Sequence, residues 1–133
     1  LYLAPTKALA ADQLRALAEL GVAGVRAAAL DGDTPMEERD WVRAHSRWVF
    51  SNPDMLHRSV LPRHGRWATF LRRLHVVVVD ECHTYRGVFG SHVALLLRRL
   101  LRVAARYGAR PTLVLASATV AEPAEFASRL TGR

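Results

Sequence analysis

The heptapeptide HVVVVDE, residues 75–81, places four consecutive valines directly before two carboxylic acids. A run of β-branched residues that is apolar at every position is typical of a strand covered on both faces, as in the middle of a parallel sheet. Open parallel sheets bind their ligands at the carboxyl ends of the strands, and here Asp80 and Glu81 follow the last valine. The segment therefore predicts a central strand from His75 to Asp80, with an acidic site where this strand ends.

The rest of the chain alternates between short apolar stretches and segments with helical periodicity. This alternation predicts an α/β fold, a parallel sheet with helices on both faces. The spacing also predicts that Thr34 caps a helix, with Glu37 completing a capping box. The predicted strands are Leu1–Ala4, Val25–Leu30, Trp48–Ser51 and Thr112–Ala116, and the predicted helices are Lys7–Leu20, a helix from Pro35, Pro53 to about Leu61, Ser91–Tyr107 and Pro123–Leu130.

The composition of the 133-residue chain excludes several classes of protein. Half of its residues are apolar and 23% are charged, which is typical of a globular domain rather than a disordered chain. Its longest apolar runs are far shorter than the roughly 20 residues of a membrane-spanning helix, and a cytoplasmic location is expected. The single cysteine, Cys82, excludes an internal disulfide and a cysteine-cluster zinc site. We therefore expect one domain that is stabilised by a packed core.

The charge balance indicates an anionic partner. Lysine and arginine outnumber aspartate and glutamate by 19 to 12, for a net charge of +7, and every basic residue except Lys7 is arginine. Residues 55–79 and 82–121 contain no acidic residue. Arginine presents a planar fork of donors that suits phosphate, so nucleic acid or a nucleotide is a fitting partner. Solvated helix faces in an arginine-rich chain explain the same pattern, and the composition leaves both interpretations open.

Asp80 and Glu81 have a specific chemical use at the end of a central strand. One carboxylate can hold a hydrated Mg²⁺ ion beside the β- and γ-phosphates of a nucleotide, while its neighbour orients the attacking water. Four valines followed by Asp-Glu match the Walker B pattern. The alternative is that both acids only shape the turn at the strand end.

Residues 80–83, Asp-Glu-Cys-His, resemble the DExH box of superfamily-two helicases, and the resemblance covers essentially the whole chain. Residues 84–92, TYRGVFGSH, are similar to the subgroup of DNA helicases typified by the bacterial mitomycin-repair and mycobacterial DExH-box enzymes. The resemblance implies a RecA-like parallel sheet for residues 1–133. Four other segments resemble motifs of this family in the expected order: residues 4–9 resemble motif Ia, residues 31–34 and 51–56 the two DNA-contacting motifs after it, and residues 117–119 motif III.

The resemblance implies a role for the polar residues of the DExH box and of motif III. Asp80 is expected to hold Mg²⁺ through water, and Glu81 to act as the catalytic base toward the water that hydrolyses ATP. His83 is expected to bond to Ser117 and Thr119, a contact that couples hydrolysis to movement between domains. Alternatively, His83 is a structural loop histidine, and Ser117 and Thr119 only cap the following helix.

The resemblance also implies single-stranded or partly duplex DNA as the partner, bound through its backbone with weak sequence preference. Each DNA-contacting motif joins a strand to a helix, where free N–H groups and the helix dipole can receive a phosphate. Thr34, Asn52 and Asp54 have an alternative role as helix caps only. The residues expected to contact DNA are Pro5, Thr6, Lys7, Asp31, Gly32, Asp33, Thr34, Ser51, Asn52, Pro53 and Asp54.

Three tryptophans are further candidates, because aromatic side chains can stack on bases. Trp41, Trp48 and Trp67 lie among valine, leucine and phenylalanine residues, however. This setting is more typical of core residues than of a binding surface, so we expect the tryptophans in the core.

Two parts of the family's motor do not occur in residues 1–133: the G-x-x-x-x-G-K-S/T phosphate loop and a second RecA-like domain with an arginine finger. The resemblance therefore implies a partial first motor domain, inactive alone, of an ATP-dependent DNA helicase that moves 3′ to 5′ and acts in DNA repair. Its partners would include both missing parts of the same polypeptide. The phosphate-loop strand would pair beside Thr112–Ala116, so we expect an unpaired edge there and an exposed Val114. A DExH RNA helicase and a non-catalytic nucleic-acid-binding module are the alternatives.

Overall fold

A computed structural model describes residues 1–118 and 121–133, and in this part of the chain five parallel strands form one sheet. The strands are β1 Tyr2–Leu3, β2 Ala27–Ala29, β3 Trp48–Ser51, β4 Val76–Val79 and β5 Thr112–Leu115. Their order in the sheet is β2-β3-β1-β4-β5. β4 therefore lies between β1 and β5, with Val76 opposite Thr112 and Val79 opposite both Leu3 and Leu115. The predicted α/β fold with a parallel sheet is confirmed.

Helices connect the strands and cover both faces of the sheet. They are α1 Lys7–Glu19, α2 Met36–His45, α3 Pro53–Met55, a π-helical turn Leu56–Val60, a 3-10 turn His64–Trp67, α4 Ala68–Arg72, a 3-10 turn Cys82–Thr84, α5 Gly87–Arg106 and α6 Pro123–Thr131. α1 packs against β2 and β3 over a small cluster of Ala4, Ala10 and Phe50. α5 contributes to the main core on the other face and packs against α6. Across the described residues, none of these helices has the length and apolar character that crossing a membrane requires.

The valine strand is fully covered on one face only. Val77 and Val79 are completely buried in the main core, together with Leu97 and Leu100 of α5. Val76, on the opposite face, is 44% exposed. The expected burial on both faces is therefore wrong for this part of the sheet, because α1 packs mainly over β2 and β3.

β5 forms one edge of the sheet. Its single partner strand within the described residues is β4, and Val114 in β5 is 45% exposed. This agrees with the expectation of an unpaired edge at Thr112–Ala116. Such an edge presents free N–H and C=O groups to which a further strand can pair.

The loop before α2 differs from the prediction. The capping box at Thr34 is wrong, because α2 begins at Met36 after Pro35, without a hydrogen bond from a capping side chain. The Thr34 hydroxyl instead accepts a hydrogen bond from the N–H of Asp31 at 2.9 Å. The threonine side chain thus closes the preceding loop rather than the first turn of the helix.

The start of α5 depends on a glycine. α5 begins at Gly87, four residues before the predicted start at Ser91, and follows the buried side chain of Tyr85. A Cβ atom on Gly90 would lie 2.3 Å from the carbonyl oxygen of Tyr85. Only glycine allows the first turn of α5 to pack this closely against the loop before it.

We expect Gly90→Ala to lower the free energy of unfolding by about 1–3 kcal/mol, because the backbone must move to admit the methyl group. Gly65→Ala is the matched control, since a Cβ atom there meets nothing within 4 Å. Its expected effect is within about 0.5 kcal/mol. Urea denaturation of the wild type and both variants measures these values, and equal stability of the two variants would contradict the close packing at Gly90.

Candidate nucleotide and nucleic-acid sites

Asp80 lies directly after β4, and both of its carboxylate oxygens accept a hydrogen bond. Oδ1 accepts from the N–H of Glu81 at 2.8 Å, and Oδ2 accepts from the hydroxyl of Tyr2 at 2.5 Å. Tyr2 comes from the adjacent strand β1, where it is opposite Val78, so Asp80 lies two residues further along the same face. These two donors fix the direction of the carboxylate.

Tyr2 is a candidate site residue that the sequence reasoning missed. Burial, the hydrogen bond to Asp80 and the negative charge of that carboxylate raise the pKa of the Tyr2 hydroxyl well above its usual range. The hydroxyl therefore remains a neutral hydrogen-bond donor at physiological pH. The alternation of side chains along a strand could have placed Tyr2 and Asp80 on one face, but only with the register of β1 against β4 already known.

Glu81 has a backbone conformation that is rare for a residue with a side chain. Its φ angle is +47°, in the left-handed region. Such a conformation costs a non-glycine residue roughly 1–3 kcal/mol. The Glu81 carbonyl oxygen accepts hydrogen bonds from the N–H and the hydroxyl of Thr84, at 2.9 and 2.8 Å, and these hold the turn. The strain marks the end of β4 as a candidate for a functional constraint.

His83 joins the acidic turn to the segment that follows β5. Its Nδ1 atom lies 3.1 Å from Glu81 Oε2 and 3.2 Å from Ser117 Oγ. With a proton on Nδ1 this atom can donate to Glu81, and without one it can accept from the Ser117 hydroxyl. The structure therefore brings together His83 and Ser117, while Thr119 lies outside the described residues.

The donor set at this turn suits Mg²⁺ that is bound mainly through water and phosphate. Residues 1–118 and 121–133 contain no group of three or more His, Cys, Asp or Glu side chains that could hold a metal ion. Mg²⁺ commonly keeps several waters and uses one or two carboxylates together with the phosphates of a nucleotide. Asp80 is partly exposed and could be that carboxylate. The carboxylate of Glu81 would then be available to contact a water molecule.

Three of the predicted DNA motifs meet at one cavity of about 560 Å³. Its walls include residues from each of these motifs: Pro5 and Lys7, then Gly32, then Asn52, Pro53 and Asp54. Asn52 also caps α3, because its Oδ1 accepts the N–H of Met55 at 2.9 Å. Segments that are far apart in the sequence therefore form one surface.

The other predicted DNA-contacting residues shape the surroundings of the cavity. Thr6 caps α1. Asp31 Oδ1 accepts the N–H groups of Asp33 at 2.8 Å and Thr34 at 3.2 Å, so these amides already have a partner. Ser51 is 1% exposed, and its hydroxyl donates to the backbone carbonyl that follows β2 at 2.6 Å. A DNA contact by the Ser51 side chain is therefore wrong, because this group is buried between two strands.

Two basic side chains hold the loop of residues 31–34 beside the cavity. Lys7 Nζ lies 2.6 Å from Asp33 Oδ2, and both side chains are exposed. Arg39 donates hydrogen bonds to three carbonyl oxygens of residues 31–34, at distances between 2.8 and 3.2 Å. A phosphate that binds Lys7 would therefore compete with Asp33 for its charge.

Arg39, Arg58, Arg63 and Phe89 also line the cavity and were not predicted as site residues. Arg58 and Arg63 belong to the acid-free stretch of residues 55–79, which was the one signal for them in the sequence. Charge alone does not separate such residues from ordinary surface arginines. Phe89 lies in residues 84–92, which resemble a helicase subgroup, but that resemblance gave its side chain no role.

The tryptophans do not line this cavity. Trp67 is 3% exposed and belongs to the main core, as expected. Trp41 and Trp48 are 49% and 37% exposed, so the expectation of a core position is wrong for both. The aromatic side chain beside the DNA motifs is that of Phe89.

Comparison with known proteins identifies relatives that match most or all of the chain. The chain is 47% identical over 137 residues to the uncharacterized ATP-dependent helicase YprA of Bacillus subtilis. That alignment covers 100% of this chain and 18% of the relative. The chain is 53% identical over 110 residues to the ATP-dependent helicase HRQ1 of Saccharomyces cerevisiae. That alignment covers 77% of this chain and 10% of the relative. The chain thus spans less than a fifth of the length of either relative.

A solved structure and a family profile agree with these relatives. The crystal structure of the DUF1998 helicase MrfA bound to DNA matches with a TM-score of 0.94 and 46% identity, over 99% of this chain and 18% of that one. The sequence profile of the DEAD/DEAH box helicases matches residues 1–126. The resemblance to superfamily-two helicases is therefore confirmed, and the chain belongs to the DEAD/DEAH box helicase family.

Proposed function

We propose that residues 1–133 are part of the first motor domain of an ATP-dependent DNA helicase, which couples Mg-ATP hydrolysis to 3′-to-5′ movement on single-stranded DNA. The observation that carries this proposal is a continuous set of contacts from Tyr2 through Asp80, Glu81 and His83 to Ser117. The DNA in the MrfA structure supports DNA rather than RNA as the partner. A role in DNA repair and a cytoplasmic location belong to the same proposal.

ATP hydrolysis needs a group that accepts the proton of the attacking water. Mg²⁺ bound with ATP would neutralise charge on the transferred phosphoryl group. Asp80, whose direction is fixed by Tyr2 and by the Glu81 N–H, would hold a water ligand of that ion. The Glu81 side chain is 42% exposed at the strand end and would take the proton from the attacking water.

His83 would connect this base to the segment after β5. Nδ1 of His83 is within hydrogen-bond distance of both Glu81 Oε2 and Ser117 Oγ. A change at the Glu81 carboxylate during hydrolysis would change its contact with Nδ1, and the imidazole could then bond Ser117 instead. The exchange of partners would couple hydrolysis to movement between domains. The phosphate loop and the second RecA-like domain would come from other segments of the same polypeptide.

The cavity between the DNA motifs would hold the backbone of the strand. Lys7 would exchange its partner Asp33 for a phosphate, and Arg39 would keep the loop of residues 31–34 in place. Contacts to phosphates position a strand without reading its bases. We therefore propose DNA binding with weak sequence preference.

In the complete polypeptide we expect Glu81→Gln to reduce ATP turnover by about 100-fold or more and to leave ATP binding unchanged, because the amide cannot accept the proton. Phosphate release in the presence of DNA measures turnover, and titration with a fluorescent ATP analogue measures binding. Glu19→Gln changes an exposed carboxylate at the end of α1 and should preserve both. Near-normal turnover in Glu81→Gln would remove Glu81 from the role of base.

We expect Tyr2→Phe to raise the Mg²⁺ concentration for half-maximal ATPase activity by about 10-fold, as loss of an orienting hydrogen bond does at other metal sites. The reason is that Asp80 loses the donor that lies 2.5 Å from Oδ2. Tyr107→Phe is the control, because its hydroxyl contacts His64 Nδ1 at 2.7 Å instead. An unchanged Mg²⁺ dependence in Tyr2→Phe would show that Asp80 does not need this donor.

We expect Lys7→Ala to weaken single-stranded DNA binding to a similar extent for all sequences and to lower the salt slope by about one, because one phosphate contact is lost. Fluorescence anisotropy between about 50 and 200 mM salt measures both quantities. Arg15→Ala, also on α1, removes an exposed cation that pairs with Asp12 and serves as the control. A slope equal to that of the wild type would exclude a Lys7 phosphate contact.

A further inference from the structure

Phe89 presents an aromatic face to the cavity between the DNA motifs. Its side chain is 48% exposed, and it lines the cavity together with Lys7, Asn52, Arg58 and Arg63. We propose that the Phe89 ring stacks on a base of the single-stranded DNA whose backbone this cavity holds. This inference rests on the proposed function, to which it adds a contact with a base.

The Phe89 ring packs against a buried tyrosine. The centroids of the Phe89 and Tyr85 rings are 5.6 Å apart, with an angle of 57° between the ring planes, and Tyr85 is 2% exposed. Phe89 itself is 48% exposed, so part of its surface remains available to a ligand. The buried tyrosine therefore anchors a partly exposed aromatic ring.

Two glycines allow the backbone conformation on either side of Phe89. Gly87 has a φ angle of +58°, which glycine adopts readily and other residues rarely do. Gly90 contacts the loop so closely that a Cβ atom would lie 2.3 Å from the Tyr85 carbonyl oxygen. The close contact at Gly90 restricts movement of the backbone next to Phe89, and a ring held in position loses little conformational entropy when a base binds.

The charges around the ring suit a polynucleotide. Arg58 and Arg63 line the same cavity, and within residues 1–118 and 121–133 no acidic side chain lies within ion-pair distance of either guanidinium. Asp54 is the one acidic residue among the side chains that line the cavity. Cations that follow a backbone, combined with an aromatic ring beside them, are the usual elements of a single-strand site. An apolar protein partner would leave these cations without a counter-charge.

The test compares intact and abasic DNA in the complete polypeptide. The probes are a thymidine oligonucleotide and a series of equal length in which one nucleotide at a time is replaced by an abasic tetrahydrofuran site. For the wild type we expect one position at which loss of the base weakens binding by about 5- to 100-fold. For Phe89→Ala we expect a similar loss on intact DNA and no further loss from the abasic site at that position.

Two further variants separate stacking from structural damage. Phe89→Trp keeps an aromatic face and should retain the sensitivity to the abasic site, whereas Phe89→Leu keeps the apolar packing and should lose it. Val88→Ala removes a neighbouring side chain that is 77% exposed and does not line the cavity, so it should bind both probes like the wild type.

The outcomes distinguish this inference from the proposed function. If the wild type binds DNA and its ATPase is stimulated by it, but Phe89→Ala and the wild type respond equally to every abasic site, Phe89 does not stack and only this inference is overturned. If Phe89→Leu keeps the full sensitivity of the wild type, stacking is likewise excluded. If the wild type neither binds DNA nor responds to it, the proposed function itself is overturned.

Discussion

The parallel pairing of β4 with β1 on one side and β5 on the other is the constraint on which the acidic site depends. A backbone hydrogen bond of 2.8 Å from the Asp80 N–H to the Leu3 carbonyl joins the ends of β4 and β1. Another, of 2.9 Å from the Cys82 N–H to the Ala116 carbonyl, holds the acidic turn against the end of β5. A shift of one residue in either pairing would turn Asp80 away from Tyr2 or would displace the segment after β5. The carboxylate geometry thus follows from backbone pairing.

One short segment positions both candidate sites. Residues 80–90 begin with the strained turn at Glu81 and end at the first turn of α5, which carries Phe89. Cys82 and Tyr85 are 3% and 2% exposed and anchor this segment in the core between those two points. Because core packing leaves little room for local movement, Glu81 and Phe89 are held at a fixed separation.

The basic residues include some that bond to other groups of the fold and some that line the cavity between the DNA motifs. Arg39 and Arg98 donate to backbone carbonyl groups, and Arg43 pairs with Asp40, so part of the +7 charge serves the fold. Arg58 and Arg63 are placed at the cavity between the DNA motifs. The composition indicated an anionic partner but could not make this division, because charge counts carry no information about distance.

The sequence by itself determined the alternation of strands and helices, the parallel sheet, the acidic pair at the end of β4 and the segments that resemble helicase motifs. Each of these depends on residues that are close together in the chain. Only the tertiary structure decided that Tyr2 donates to Asp80 across 78 positions, that Thr34 closes a loop instead of capping a helix, and that Phe89 faces the cavity. Those outcomes depend on strand register and on which faces are covered, and both are set by packing between distant segments rather than by local pattern.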